Sequence, residues 1–337
     1  MTYKKERIKY IDTLKFLAIL AIIGLHMFQL WTNTEILNFN IYKLSEITRF
    51  GVPVFLMVSG ALLLNKKIEV KSFFKKRFAR IILPLLFYTI ISLIILNNPL
   101  LKPFWYCWMI IGVYLTLPII NIFIEHAKIK EIEYFIIFFI FTSILYEITS
   151  YFNITQCLDL NFFIGPVSYL ILGYYLSIKK FKFSAKKIII ISIILFILST
   201  IIKIKYGDAF YFNHSPNLMS RLNLSFPQII QASSMFIIIK YLYEIKTGIF
   251  SKIKNILEIK TVNSFILSVS RASYGMYLLH TFLYRGFLEE YVKTLNFTGT
   301  QTCIFIILST IGLFLISWLV VLILGQIPYI KKLSGYY

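Results

Sequence analysis

Residues 11–30 read Ile-Asp-Thr-Leu-Lys-Phe-Leu-Ala-Ile-Leu-Ala-Ile-Ile-Gly-Leu-His-Met-Phe-Gln-Leu. A helix of this length crosses a hydrocarbon core about 30 Å thick at about 1.5 Å per residue. Yet it carries Lys15 and His26, and an ionisable side chain in hydrocarbon is a functional hypothesis by default. A membrane helix with a cation near one end and an imidazole deep in the other half predicts a bundle with a polar interior.

The rest of the chain agrees. Nine further spans are expected at 47–64, 80–97, 104–124, 134–150, 161–178, 186–204, 226–243, 265–284 and 301–327. Of the 337 residues, 58% are apolar and 15% charged, whereas soluble domains carry about 25% charged residues. Ten spans of about 20 residues use roughly 200 residues. The connections left over are too short for a soluble catalytic domain, so any chemistry belongs to the membrane part. The long unbroken apolar runs also exclude a β-barrel, whose strands alternate apolar and polar. The expected fold is all-α: a polytopic membrane helix bundle of about ten transmembrane helices, forming one domain over 1–337.

The net charge of +20 suggests nucleic acid in a soluble protein. Here it is explained by topology, because cytoplasmic loops collect Lys and Arg. With the N-terminus inside, 26 of the 35 Lys and Arg fall on the cytoplasmic segments. Both termini are therefore expected in the cytoplasm. Lys4, Lys5, Arg7 and Lys9 precede the first apolar run as in a signal peptide, but Asp12 and Lys15 interrupt it and no small-residue cleavage site follows, so a retained first helix is expected. Cys107, Cys157 and Cys303 are scattered, which gives neither a disulfide framework nor a metal site.

Lys15 and His26 are eleven residues apart, about 20° past three full turns, with roughly 16 Å of rise between them. They share one helix face with Ile19 and Ile22, as a path through the protein requires. Taken alone, Lys15 fits snorkelling to the headgroups, and His26 fits a hydrogen-bonded core histidine. Ser273-Tyr274-Gly275-Met276-Tyr277-Leu278-Leu279-His280 places His280 toward the outer end of span nine, where it either faces the same cavity as His26 or is wet at the interface. His126 and His214 fall in loops.

Segment 65–80 is the most basic. Within it Arg77 and Arg80 are three apart, hence on one helix face, and their forked donors suit a phosphate. Pro84 stands one turn on, where it can kink a helix. Gly51, Pro53, Ser59 and Gly60 allow close packing or a break. Glu147 reads as an interfacial acid or as a partner of a histidine, Arg221 or Lys203. Trp105, Tyr106 and Trp108 read as an interfacial aromatic belt.

These residues together resemble acyltransferase family 3, the integral membrane acyltransferases, over nearly the whole chain. The resemblance rests on Lys15 and His26 with ten residues between them, on Val54-Phe55-Leu56-Met57-Val58-Ser59-Gly60, on Arg77-Phe78-Ala79-Arg80 and on the segment ending at His280. Trp105, Tyr114 and Pro118 stand at similar spacing. Pro103 and Ala61 depart from the pattern, which often has His and an aromatic residue there. The subgroup it is similar to comprises the O-acetyltransferases of surface polysaccharides, such as those acting on enterobacterial common antigen.

The resemblance implies a cell-membrane O-acetyltransferase, in the plasma or inner membrane. It would move an acyl group, acetyl first, from cytoplasmic acyl-CoA to a hydroxyl of a cell-surface or lipid-linked sugar. Acetyl-CoA is then the donor, and no metal is expected. The partners are the lipid bilayer, acyl-CoA and a sugar or polysaccharide acceptor, with no nucleic acid. His26 is expected as general base or transient acyl carrier, His280 beside it, and Lys15, Arg77 and Arg80 on the donor. The alternative is a transporter of polysaccharide or lipid-linked sugar. Such proteins are often built from inverted repeats, which the sequence does not show.

Overall fold

The computed structural model describes residues 7–30, 43–99, 104–152, 154, 158–211, 224–295 and 297–337. His214, Arg221, Cys157 and Pro103, singled out above, lie outside them. Among the described residues there are helices and no strands. Ten long helices occupy the ten expected spans: α1 (Lys9–Gln29), α2 (Gly51–Leu63), α3 (Val70–Leu96), α4 (Trp105–His126), α5 (Ile129–Tyr151), α6 (Pro166–Ile178), α7 (Ala185–Tyr211), α8 (Phe226–Glu244), α10 (Lys260–Leu283) and α12 (Gly299–Gln326). Shorter pieces complete the chain: α9 (Ile249–Glu258), a π-helical turn at Tyr284–Leu288 running into α11 (Glu289–Lys293), and α13 (Lys331–Ser334).

Local signals start these helices. Pro166 follows Gly165 at the first turn of α6, where its missing N–H is no loss. Ser225 accepts from the Gln228 N–H ahead of α8. Thr298 and Gln301 form a capping box on α12. The helix α3 begins ten residues before the expected span. Lys and Arg are good helix formers, and its first Pro, Pro84, lies inside a continuous helix. Arg77 and Arg80 are therefore helical residues and not loop residues.

Seven helical stretches are long and apolar enough to cross a membrane: α1, Ser45–Leu63, α3, α4, α5, Ala185–Tyr206 and α12. Among the described residues three of the ten expected spans do not meet that measure of length and apolarity, for physical reasons. The apolar α6 has only 13 residues. In α8 and α10 polar residues replace apolar ones, and these point inward: Gln228, Gln231, Ser234 and Lys240 of α8, and Ser270, Ser273, His280 and Thr281 of α10, are all buried. The reverse holds outside. Only 28% of the apolar window is buried in α3 and in α12, against 61% in α1. The most apolar helices form the outer wall, and α1, α2, α8 and α10 form a more polar interior.

Two glycine contacts set the closest approaches. Gly60 of α2 meets the Leu170 backbone of α6, and Gly173 of α6 meets the Met57 backbone of α2. A Cβ at either would collide with main chain, which is how small residues bring membrane helices together. On α10, Gly275 lies against the Ser334 carbonyl and Gly335, so the segment after α12 folds back onto α10.

Candidate active site

The helix α1 carries Lys15 near its start and His26 in its last turn. The α10 helix runs beside it and brings His280 to the same end of the bundle. The two imidazole rings lie 5.3 Å apart between centroids. His280 is wholly buried, so the reading of a wet interfacial histidine fails, while His26 is half-buried. Tyr284, first residue of the π-helical turn, stacks on His26 at 5.2 Å and lies 6.2 Å from His280. It stands four residues after His280 and its N–H reaches the His280 carbonyl, so helical spacing alone places it on the His280 face.

Hydrogen bonds orient both rings. His26 Nδ1 faces the Gln29 amide oxygen at 2.9 Å, and His280 Nδ1 faces the Met276 carbonyl at 3.0 Å. Both partners are oxygens that can only accept, so each Nδ1 carries the proton and each Nε2 keeps its lone pair. Two neutral imidazoles side by side can take a proton or carry an acyl group.

A cavity of about 360 Å³ leads toward this pair, lined by Lys15 and Ile22 of α1, Ser59 of α2 and Tyr277 of α10. Ile22 is one turn before His26, and the Tyr277 ring is 5.7 Å from His280, so the inner end stops within a helical turn of the imidazoles. Ile19, expected on this stripe, is buried in packing instead. At the other end Arg77 and Arg80 of α3 face the same space, with Arg271 of α10 and Tyr337.

Neither Lys15, Arg77, Arg80 nor Arg271 has a carboxylate partner among the described residues. Arg77 lies over the Phe73 ring and Arg80 over the Tyr337 ring. Asp12, the nearest acid on α1, is engaged by Arg7 and by the Ser270 hydroxyl at 2.6 Å. Four cations thus share a cavity whose lining holds no carboxylate, and the acid that acts on them is Asp12, on Lys15 alone.

The sequence reading counted Arg271 only as a topological charge and did not see Tyr337. Packing reveals both: Tyr337 is held by its N–H donating to the Arg271 carbonyl at 3.0 Å. Tyr106 also needs correction. It was read as part of an aromatic belt, but only Trp108 is strongly exposed. Tyr106 lines the cavity and meets Tyr277 edge-on at 5.3 Å.

Glu147 does not orient a histidine. Its carboxylate accepts from the Phe226 N–H and so caps the start of α8, a favourable place for an anion. Lys203 pairs with Glu46 at 3.1 Å and not with Glu147, because α7 continues to residue 211 and buries Lys203 against α8. His126 is exposed, but it is the last residue of α4 and not a loop residue, its Nδ1 facing the Ile122 carbonyl one turn back at 2.9 Å. No group of three or more His, Cys, Asp or Glu able to hold a metal ion occurs among the described residues.

A family model describing an acyltransferase domain matches residues 8–322, which takes in both histidines and all four cavity cations. Neither a curated protein nor a solved structure matches the chain. On the family match and its apolar helices, this chain is a multi-pass membrane protein and a member of acyltransferase family 3.

Proposed function

We propose that this acyltransferase takes its acyl group, acetyl first, from cytoplasmic acyl-CoA and delivers it to a hydroxyl of a cell-surface or lipid-linked sugar. The observation that carries the reading is one cavity with two unlike ends. Four cations without carboxylate partners stand at one end, and a pair of imidazoles stands a helical turn beyond the other, with the His280 Nε2 facing the Thr281 hydroxyl at 3.5 Å. The phosphates of coenzyme A match the cations. The pantetheine arm then carries the thioester along the cavity toward His26. In this reading Lys15, Arg77 and Arg80 hold the donor, both termini lie in the cytoplasm, and the protein sits in the cell membrane among surface-polysaccharide O-acetyltransferases.

Two routes use the same geometry. In the first, His26 Nε2 takes the proton of the acceptor hydroxyl while its oxygen attacks the thioester carbon. The C–S bond breaks, and the thiolate recovers the proton from the imidazolium. In the second, Nε2 itself attacks the thioester carbon and the C–S bond breaks to leave an acyl-imidazolium and a thiolate; the sugar oxygen then displaces the imidazole, and its proton passes to the thiolate. His280 flanks the reacting atoms in both. A translocator of glycans would leave the four cavity cations without a role.

The test is release of free CoA thiol from acetyl-CoA by inside-out membrane vesicles supplied with envelope glycan. Wild type releases thiol. His26→Ala, at normal abundance, reduces the rate by about two to four orders of magnitude, and Arg77→Ala raises the acetyl-CoA concentration needed. Release indifferent to His26 removes it from the chemistry. No release from wild type removes acyl-CoA as donor.

A further inference from the structure

The helix α9 belongs neither to the outer wall of the bundle nor to its interior, and none of its ten residues is fully buried. We infer that α9 lies along the bilayer surface at the Lys15 end, its isoleucines in the acyl boundary and its lysines on anionic headgroups. The inference goes beyond the reaction and does not depend on the donor.

The helix presents two apolar stripes. Phe250 and Leu257, seven residues apart, are half-buried and pack on the core. Ile249, Ile253 and Ile256 follow one another at spacings of four and three, so they share a face, and they stay 69%, 43% and 56% exposed. Ser251, Lys252, Asn255 and Glu258 fill the opposite side. A helix apolar along one side and polar and basic along the other is the form that beds into a membrane interface.

Its depth is fixed by its neighbours. Phe250 packs on a small cluster made by Ile188 and Ile189 of α7 with Tyr241 and Ile245. That cluster stands just inside the exposed Lys186 and Lys187 at the start of α7. Beyond it Ile190, Ile191 and Ile194 face outward. Lysines followed by outward isoleucines mark the level where headgroups give way to acyl chains. The helix α9 is held at that level.

The connections keep it there without covering the isoleucines. Gly248, at φ +90°, opens the helix in a conformation that a side chain would strain. A single extended residue, Ile259, separates α9 from α10, so the chain turns instead of continuing as one helix. Glu258 meets Lys9 at the start of α1.

Charge selects the kind of lipid. Lys246, Lys252 and Lys260 are exposed on and beside α9, with Lys186 and Lys187 near Phe250. Against these five cations stand Glu244 and Glu258, and Glu258 is already engaged by Lys9. Such a surface attracts anionic headgroups. A second copy docked through the same stripe would set Lys252, one turn before Ile256, against like charge.

The experiment places the full-length protein in nanodiscs of phosphatidylcholine, alone or mixed with phosphatidylglycerol. A nitroxide is attached at Ile253→Cys or at Asn255→Cys. Cys157→Ser and Cys303→Ser form the background, and Cys107 stays because it is buried. Oxygen, which concentrates among acyl chains, and a nickel chelate, which stays in water, serve as relaxing agents. The label at position 253 should respond several-fold more to oxygen than to nickel, and the label at position 255 the reverse. Phosphatidylglycerol should raise the thermal midpoint of the unlabelled protein, and Lys246→Gln/Lys252→Gln should remove most of that rise.

If the label at position 253 responds to nickel as readily as the one at 255, the stripe faces water and the inference fails. If it is shielded from both agents and couples to a second nitroxide, α9 is a contact between copies and the lipid assignment is overturned. If phosphatidylglycerol leaves the midpoint unchanged, or the rise survives the lysine substitutions, anionic headgroups are not what α9 binds.

Discussion

Two groups of charged residues are enclosed by this bundle, and they are built in opposite ways. Beside the histidine end, Lys203 is 4% exposed and surrounded by partners. Its ammonium donates to the Glu46 and Gln231 side chains at 3.1 and 2.8 Å and also to Gln228. Gln231 in turn donates to the Glu46 carbonyl and to Thr200, and Arg49 pairs with Glu46. The network sets two cations against one carboxylate, with amide and hydroxyl groups completing the hydrogen bonds, and joins the turn before α2 to α7 and α8.

At the other end Lys15, Arg77, Arg80 and Arg271 face an open cavity with no carboxylate. Burying an ion is tolerated when its partners are in place. Leaving like charges together is tolerated when a ligand brings the opposite charge. The first arrangement is architecture, and the second suits the proposed binding site, whose ligand would bring the anions.

The sharpest way to break this comparison is Glu46→Ala. It leaves Lys203 buried without its counter-charge, at a cost of about 3–5 kcal/mol. Folded yield and thermal midpoint in detergent should fall, while the little protein that folds keeps its affinity for acetyl-CoA. A variant of normal midpoint would mean that the network carries no architectural weight.

Arg77→Ala should do the reverse. It relieves repulsion with Lys15 and Arg80, so the midpoint stays equal or rises slightly. The acetyl-CoA KM rises by about tenfold or more, the equivalent of one lost charge-assisted contact. A matched loss of stability and affinity would contradict the division of roles.

Much of the cavity end was legible in the sequence because it depends on short-range periodicity. Lys15 and His26 share a face by helix geometry alone, and Arg77 and Arg80 do so by their spacing of three. The ten helices were legible for the same reason.

The partners across the bundle were not. Lys203 looks like an outer loop charge until α7 is seen to continue past it, and Glu46 precedes α2 by a short turn. Tyr337 and Arg271 enter the site through tertiary packing, which no linear pattern reports, whereas Tyr284 stands four residues after His280 and was legible by helical spacing. Apolarity alone does not mark α8 and α10 as crossings because their polar residues are interior, and a hydropathy window does not record which way a side chain faces.

A smaller effect sharpens the chemistry at the histidine end. Gln29→Leu removes the oxygen that holds the His26 Nδ1 proton, so the ring can turn or change tautomer. The rate of thiol release should fall by about tenfold at unchanged KM. The donor end is untouched, and a change in KM alone would place Gln29 on the wrong side of the comparison.

The smallest effect belongs to an ion pair outside both groups. Lys9 of α1 meets Glu258 of α9 at 2.7 Å, with side chains 45% and 30% exposed. The Lys9 ammonium holds the Glu258 carboxyl below its ordinary value. A carboxyl depressed in the folded state stabilises above its unfolded value, about 4.3. That contribution disappears as pH falls through the lower, folded value. Water screens the pair, so Lys9→Ala should lower stability at neutral pH by no more than about 0.5 kcal/mol. The gap between variant and wild type should close in acid and in high salt. The buried Glu46–Lys203 pair is shielded from mobile ions, so its loss should be nearly indifferent to salt. Thermal midpoints of both variants at low and high ionic strength therefore separate a solvated charge pair from one built into the bundle.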